Sequence, residues 1–132
     1  MFGRQRKIQH PIFGEMTHAS GDWMTADSVP SKAGPAIIYV EGSPDGPHAS
    51  AVDLAVNTIQ RATEIVSLAK VFVTANESAM EFVGGGGRLQ FDGLSFRANG
   101  DFSVNFGVVD WPDAMVDVQF RDGQPYDVWL AD

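Results

Sequence analysis

The chain has 132 residues, 44% of them apolar and 20% charged, which is one domain's worth of ordinary soluble composition and excludes wholesale disorder or a fibrous repeat. Nine basic residues stand against 17 acidic ones, a formal charge of -8, and a surface of that sign repels phosphate backbones, so nucleic acid is not an expected partner. The absence of cysteine removes disulfide scaffolds, thiol nucleophiles and thiolate metal sites and fits a reducing cytoplasm.

The charge is uneven. Met1 to Gln9 carries Arg4, Arg6 and Lys7 and no acid, and this basic segment is expected to be loosely ordered. It has no apolar run of the kind a secretory signal needs, and no later stretch is long and apolar enough to span a bilayer, so the expected setting is soluble and cytoplasmic. Ala98 to Asp132 holds seven aspartates against the single Arg121 and forms the acidic pole.

From Pro11 to Glu41 the pattern is strands separated by turns. Ile12, Phe13 and Met16 lead to the turn residues Ala19-Ser20-Gly21-Asp22, and Trp23-Met24-Thr25 resumes a strand in which Trp23 is expected to be core. After the loop Val29–Pro35, Ala36-Ile37-Ile38-Tyr39-Val40 is apolar on both parities, which predicts a central strand covered on both faces. Gly42–Pro47 then stops it.

The period next changes to that of a helix. Asp53, Asn57, Gln60, Glu64 and Ser67 form one polar stripe opposite Val52, Ala55, Val56, Ile59, Ala62, Val66 and Ala69. Ser50 with Asp53 resembles a capping box, and Thr74 with Glu77 offers a second start after Val71-Phe72-Val73, so the pattern leaves one helix or two. The four glycines Gly84–Gly87 end it. They follow a helix and precede a strand, the reverse of a phosphate loop, and read as a C-cap and linker.

Two hairpins follow. Parity rejects a two-residue turn at Asn99-Gly100 and favours a three-residue loop Ala98-Asn99-Gly100 that sets Phe96 opposite Phe102, Leu94 opposite Val104 and Arg97 opposite Asp101. Asp92-Gly93 marks a bulge or turn, because Leu89 and Phe91 have the opposite parity to Leu94 and Phe96. The same three-residue construction at Arg121-Asp122-Gly123 would face Val118 with Tyr126 and Val116 with Val128. Pro125 places the last strand, or its near end, at a sheet edge.

No catalytic constellation stands out. Gly-x-Ser-x-Gly is absent, and His10, His18 and His48 lack helical ligand spacing, so that a His18–Asp22 pair across a turn is the one metal arrangement to consider. The reading therefore leans away from an enzyme and names no cofactor, metal or catalytic residue. Trp111-Pro112-Asp113, beside Asp110, lies in the connection between the hairpins, while Trp129 is out of register with Tyr126, Val128 and Leu130 and points to the face that carries Asp117, Gln119 and Asp127. Aromatics anchor interfaces and acids steer basic partners, so Asp110, Trp111, Asp113, Asp117, Gln119, Asp127 and Trp129 are the candidate partner-binding residues.

His10-Pro11-Ile12-Phe13-Gly14-Glu15 ahead of Trp23, the single helical block, and the ending Val118–Pro125 with Val128-Trp129 give an outline that resembles small bacterial domains of unknown function found among immunity-like proteins of toxin systems. The resemblance implies binding and lends no catalytic positions. The expected architecture is a single α+β domain over 1–132, an antiparallel sheet ordered β-β-β-α-β-β-β or with one extra short strand, one face packed on a long or broken helix. The expected function is neutralisation of a basic protein partner through the acidic C-terminal sheet face. Alternatives are a small-ligand-binding protein or hydrolase with its site near the glycine run, and a homo-oligomeric assembly subunit, a homodimer included, built through an exposed sheet edge.

Overall fold

The computed structural model describes residues 6–84 and 86–132, and Arg4 of the basic segment lies outside them. It is a mixed α+β fold: nine strands in one open, mostly antiparallel sheet, with three helices on one face. The strands are β1 (Lys7–His10), β2 (Gly14–Ala19), β3 (Asp22–Thr25), β4 (Ile37–Ser43), the two-residue β5 (Gly46–Pro47), β6 (Leu89–Phe96), β7 (Phe102–Val108), β8 (Trp111–Arg121) and β9 (Gln124–Ala131). The helices α1 (Ala49–Ile59), α2 (Ala62–Thr74) and α3 (Glu77–Val83) fall between β5 and β6.

Spatial order follows chain order, β1-β2-β3-β4-β6-β7-β8-β9, with β5 paired to the end of β4. All pairings are antiparallel except β4 with β6, where Ile38 lies beside Leu94 and Val40 beside Phe96. Helices must fill that parallel crossover, and they do so on one face alone. The order departs from the expected β-β-β-α-β-β-β, with five strands before the helices and four after them. Lys7–His10 of the basic segment pairs with β2, and Ile12 and Phe13 form the intervening turn, where His10 Nδ1 accepts from both their amides at 3.1 and 3.2 Å.

The helical block breaks twice. Its polar stripe is exposed from Asp53 to Ser67 as expected, but α1 ends at Ile59 and α2 restarts at Ala62 with no capping side chain. The second break falls just after Val71-Phe72-Val73 as expected, α2 ending at Thr74 and α3 starting at Glu77, but α3 is capped by Asn76, not Thr74: Asn76 Oδ1 accepts from the Ala79 amide at 2.9 Å. Nor is Ser50 a cap, since His48 holds that position and Ser50 Oγ donates to the Ala98 carbonyl. Gly84 ends α3 in the left-handed conformation, φ 80, with its amide on the Met80 carbonyl.

The helices bury small residues, Ala51, Ala55, Ala62, Ala69 and Ala79, with Ile65, Val66, Val73 and Val83. Against them the sheet sets Met16, Trp23, Ile38, Val40, Leu94, Phe96, Val104, Phe106, Val116, Val118 and Phe120, all essentially inaccessible. Short helical side chains let the backbones approach while the sheet supplies the bulk, and Phe102 stacks on Phe120 at 4.7 Å. Trp23 is core, and its Nε1 donates to the Ser43 carbonyl at 2.9 Å.

The first hairpin has the expected register, Phe96 with Phe102 and Leu94 with Val104, with Gly100 left-handed at φ 99. The bulge at Asp92 is also present. The second hairpin differs. Asp122 and Gly123 are both left-handed, φ 53 and 75, and form a two-residue turn that pairs Arg121 with Gln124 and Phe120 with Pro125. Tyr126 is then the extra residue of a bulge, so Val118 meets Val128 and Val116 meets Leu130. Asp122 accepts the left-handed conformation itself, which makes the third loop residue unnecessary. Trp111-Pro112-Asp113 begins β8 and is not a connection.

Candidate functional site

Strand alternation decides what the uncovered face presents. With Ile38, Leu94, Val104, Val116 and Val128 turned to the helices, their neighbours turn away from them. Two rows cross the sheet there: Tyr39, Ser95, Ser103, Gln119 and Asp127 in one, and Ile37, Gly93, Asn105, Asp117 and Trp129 in the next. The sequence expectation that β4 is central holds, but the expectation that it is covered on both faces does not. Ile37 and Tyr39 stay half-exposed because one crossover supplies one helical layer.

The middle of this face is low because its side chains are small. Gly93 and Gly107 contribute none, and Ser95, Ser103 and Asn105 surround them. Two adjoining cavities of about 400 and 390 Å³ result, sharing Ser95, Asn105 and Asp117 as lining. The first continues to Ile37, Tyr39, Asp92 and Met115, and the second to Arg97, Asp101, Arg121, Tyr126 and Trp129.

A relay of hydrogen bonds runs along the floor. Ser95 Oγ donates to Asn105 Oδ1 at 3.1 Å, and Asn105 Nδ2 donates to Asp117 Oδ1 at 3.1 Å and to Ser103 Oγ at 3.3 Å. At the far edge Trp129, 59% exposed, donates Nε1 to Asp127 Oδ2 at 3.2 Å. The guanidinium of Arg121 lies 4.3 Å from the centre of the Tyr126 ring, which holds Tyr126 on the open face instead of in the core where parity alone would put it.

The electrostatics divide the groove. Its two arginines are already engaged, Arg97 with Asp22 at 2.8 Å and Arg121 with Asp101 at 3.6 Å. Asp92 and Asp117 form no ion pair among the described residues. Burial pushes the Asp117 carboxyl above its ordinary range, with the Asn105 hydrogen bond opposing, and burial likewise raises Asp92. Tyr39 is raised by burial first, then by the negative charges of Asp117, Asp92 and Asp22. Its hydroxyl therefore stays protonated at neutral pH. Three perturbed groups in one cavity mark this as the candidate site.

The seven residues expected to meet a partner separate into two groups. Asp117, Gln119, Asp127 and Trp129 come together on the open face. Asp110 and Trp111 do not join them: Asp110 is left-handed in the β7–β8 turn, φ 65, and Trp111 stacks on Phe82 of α3 at 4.8 Å. Asp113 alternates with the buried Ala114 and so shares the open side of β8 with Met115 and Asp117, but it lines neither cavity. His18 and Asp22 do not form a pair either, because His18 Nε2 meets the Gly42 carbonyl at 3.2 Å while Asp22 holds Arg97. No group of three potential metal ligands occurs among the described residues.

Sequence reasoning missed Tyr39, Asp92, Ser95, Asn105 and Met115. The signal for Ser95 and Asn105 was available, since the correct register of the first hairpin already puts them on the face opposite Leu94 and Val104. Tyr39 was masked by the apolar run around it. No helix among the described residues is long and apolar enough to cross a membrane. Comparison with known protein families, curated proteins and solved structures gives no match.

Proposed function

We propose that the protein is a non-enzymatic binding protein that takes a basic protein partner on the open face of its sheet, in the manner of the immunity-like domains its sequence resembles. The observation that carries the reading is an uncovered face on which the arginines are already paired while Asp92, Asp117 and Asp127 have no cationic partner among the described residues. Trp129 supplies an exposed aromatic anchor beside them. The formal charge of -8 would accelerate encounter with a cationic surface. The cysteine-free sequence supports a cytoplasmic setting.

Self-assembly through a sheet edge is less well supported. The edge strand β9 carries Pro125 and the Tyr126 bulge, and β1 is four residues long, features that discourage edge pairing. Within the glycine run, Gly84 is a helix end and Gly86 and Gly87 open a short 3-10 turn, Gly86–Arg88, which favours the linker reading over a site there.

The test immobilises the full chain and its Asp117→Lys/Asp127→Lys variant and compares proteins captured from the source cells at low and high salt. The expected result is a stoichiometric basic protein held at low salt, released at high salt and lost from the charge-reversed variant. Equal capture by a folded variant, or capture that ignores salt, would overturn the reading.

A further inference from the structure

The first cavity of the groove is built differently from the rest of the face. It occupies about 400 Å³ where β4, β6 and β8 present Ile37, Tyr39, Asp92, Met115 and Asp117 around the hydrogen-bonded floor. We propose that this cavity receives one alkyl-ammonium or alkyl-guanidinium group, the side chain of a lysine or arginine on the basic partner. The inference rests on the binding reading above and names what the site recognises.

Charge accounting leads to it. The ion pairs among the described residues are Arg61–Glu64, Arg97–Asp22 and Arg121–Asp101, so neither carboxylate of the cavity is neutralised from within. Asp117 receives one hydrogen bond, from Asn105. Two partly desolvated carboxylates in one cavity repel an anion and gain little from a neutral guest, whereas a monocation offsets the cost of both.

Shape selects an organic cation over a bare ion. Ile37 and Met115 offer apolar walls along which a methylene stem can lie, and Tyr39 adds an aromatic ring to the same lining. A divalent metal would need about six oxygen ligands, and these apolar walls take their place.

Asp92 is held in the cavity by a missing side chain. Gly107 on β7 faces it, and a Cβ added there would lie 2.7 Å from Asp92 Oδ2. The carboxylate thus lies where any other residue at 107 would put a methyl group.

The test is an amide-resolved NMR titration of the isotope-labelled full chain with butylguanidinium, butylammonium, n-butanol, calcium and a doubly capped arginine. Expected are saturable shifts at Gly93, Ser95, Asn105 and Asp117 from both alkyl cations and from the capped arginine, with affinities on the order of millimolar. Asp117→Asn, Asp92→Asn and Gly107→Ala should each weaken binding about tenfold, while Asp53→Asn, on the exposed stripe of α1, should leave it unchanged. No saturable shift from either cation, or an equal response to butanol, overturns the proposal, as does calcium alone binding the site. Binding of alkyl cations but not of capped arginine also overturns the assignment to a partner's side chain. If partner capture survives Asp117→Lys/Asp127→Lys although the cations bind, the docking reading fails and the cavity's preference stands; salt-sensitive capture without cation binding removes the cavity alone.

Discussion

Arg97 and Asp22, from the end of β6 and the start of β3, meet across the end of β4 in a two-point ion pair, Nη1 to Oδ1 at 2.8 Å and Nη2 to Oδ2 at 3.2 Å. The forked geometry matches guanidinium to carboxylate and fastens the N-terminal strands to the C-terminal ones. Both partners are partly exposed, so screening limits the gain. Arg97→Ala should cost about 1 kcal/mol, and the cost should shrink in concentrated salt. Urea denaturation midpoints at two ionic strengths read this directly, and a salt-independent cost would contradict an electrostatic origin.

Two glycines on the same face should respond to a methyl group to different degrees. A Cβ on Gly93 would fall on the Ile37 backbone carbonyl, within the parallel β4–β6 pairing, where nothing can swing aside. Gly93→Ala is expected to cost about 3 kcal/mol. At Gly107 the obstacle is the Asp92 carboxylate, the far end of a side chain, so Gly107→Ala should cost less than about 1 kcal/mol. Thermal unfolding of the two variants side by side decides the comparison.

Asp117 links the open face to pH. Its folded pKa is raised above 3.8 by burial, so the folded state holds this proton more tightly than the unfolded chain. The stabilisation from protonation is fully present below 3.8 and is lost as pH rises through the raised folded value. The titratable and charged groups that share its cavities are Tyr39 from β4, Asp92 from β6, Arg97 and Asp101 from the β6–β7 loop, Arg121 at the end of β8 and Tyr126 from β9. Asp117→Asn, which keeps an oxygen for Asn105, should raise Tm at neutral pH, with the gain vanishing as the wild-type carboxyl protonates. It should also move the Tyr39 titration down toward 10.0, because one raising charge is gone. A Tm difference constant across acid and neutral pH would contradict this.

The tryptophans on β3 and β9 should separate cleanly. Trp23 is buried and bonded to Ser43, and Trp23→Ala should cost about 3–5 kcal/mol. Trp129 is 59% exposed, and Trp129→Ala should change stability by no more than about 0.5 kcal/mol. Acrylamide quenching provides the check: the readily quenched, red-shifted component of the emission should vanish with Trp129→Ala.

Much of the sheet was legible because parity is a strict constraint. Phe96, Phe102, Leu94 and Val104 must share a face, which fixed the first loop, and the alternation of Trp129 with Val128 and Leu130 sent it with Asp117, Gln119 and Asp127 to the opposite side. The second hairpin was misjudged because a bulge at Tyr126 does the same bookkeeping as a longer loop, and sequence pattern does not distinguish them. The break after Ile59 carries no Gly, Pro or capping side chain to announce it. Most of the candidate cavity stayed hidden, Asp117 excepted, because the number of helical layers over β4 depends on how often the chain crosses the sheet, which local pattern does not encode.

The parallel pairing of β4 with β6 also sets an order of assembly. Within β1 to β4 and within β6 to β9, each strand pairs with its sequence neighbour, so both halves can zip from short closures. The seam that sets Ile38 beside Leu94 must wait for the intervening helical block to condense, and the entropy of closing that long loop is lost before its contacts form. Val104→Ala and Val118→Ala should therefore slow folding, while Ile38→Val and Leu94→Ala should chiefly hasten unfolding. Until the seam closes, β4 and β6 are two unprotected edges, and the most aggregation-prone species of this chain is one with both halves formed and the middle still open.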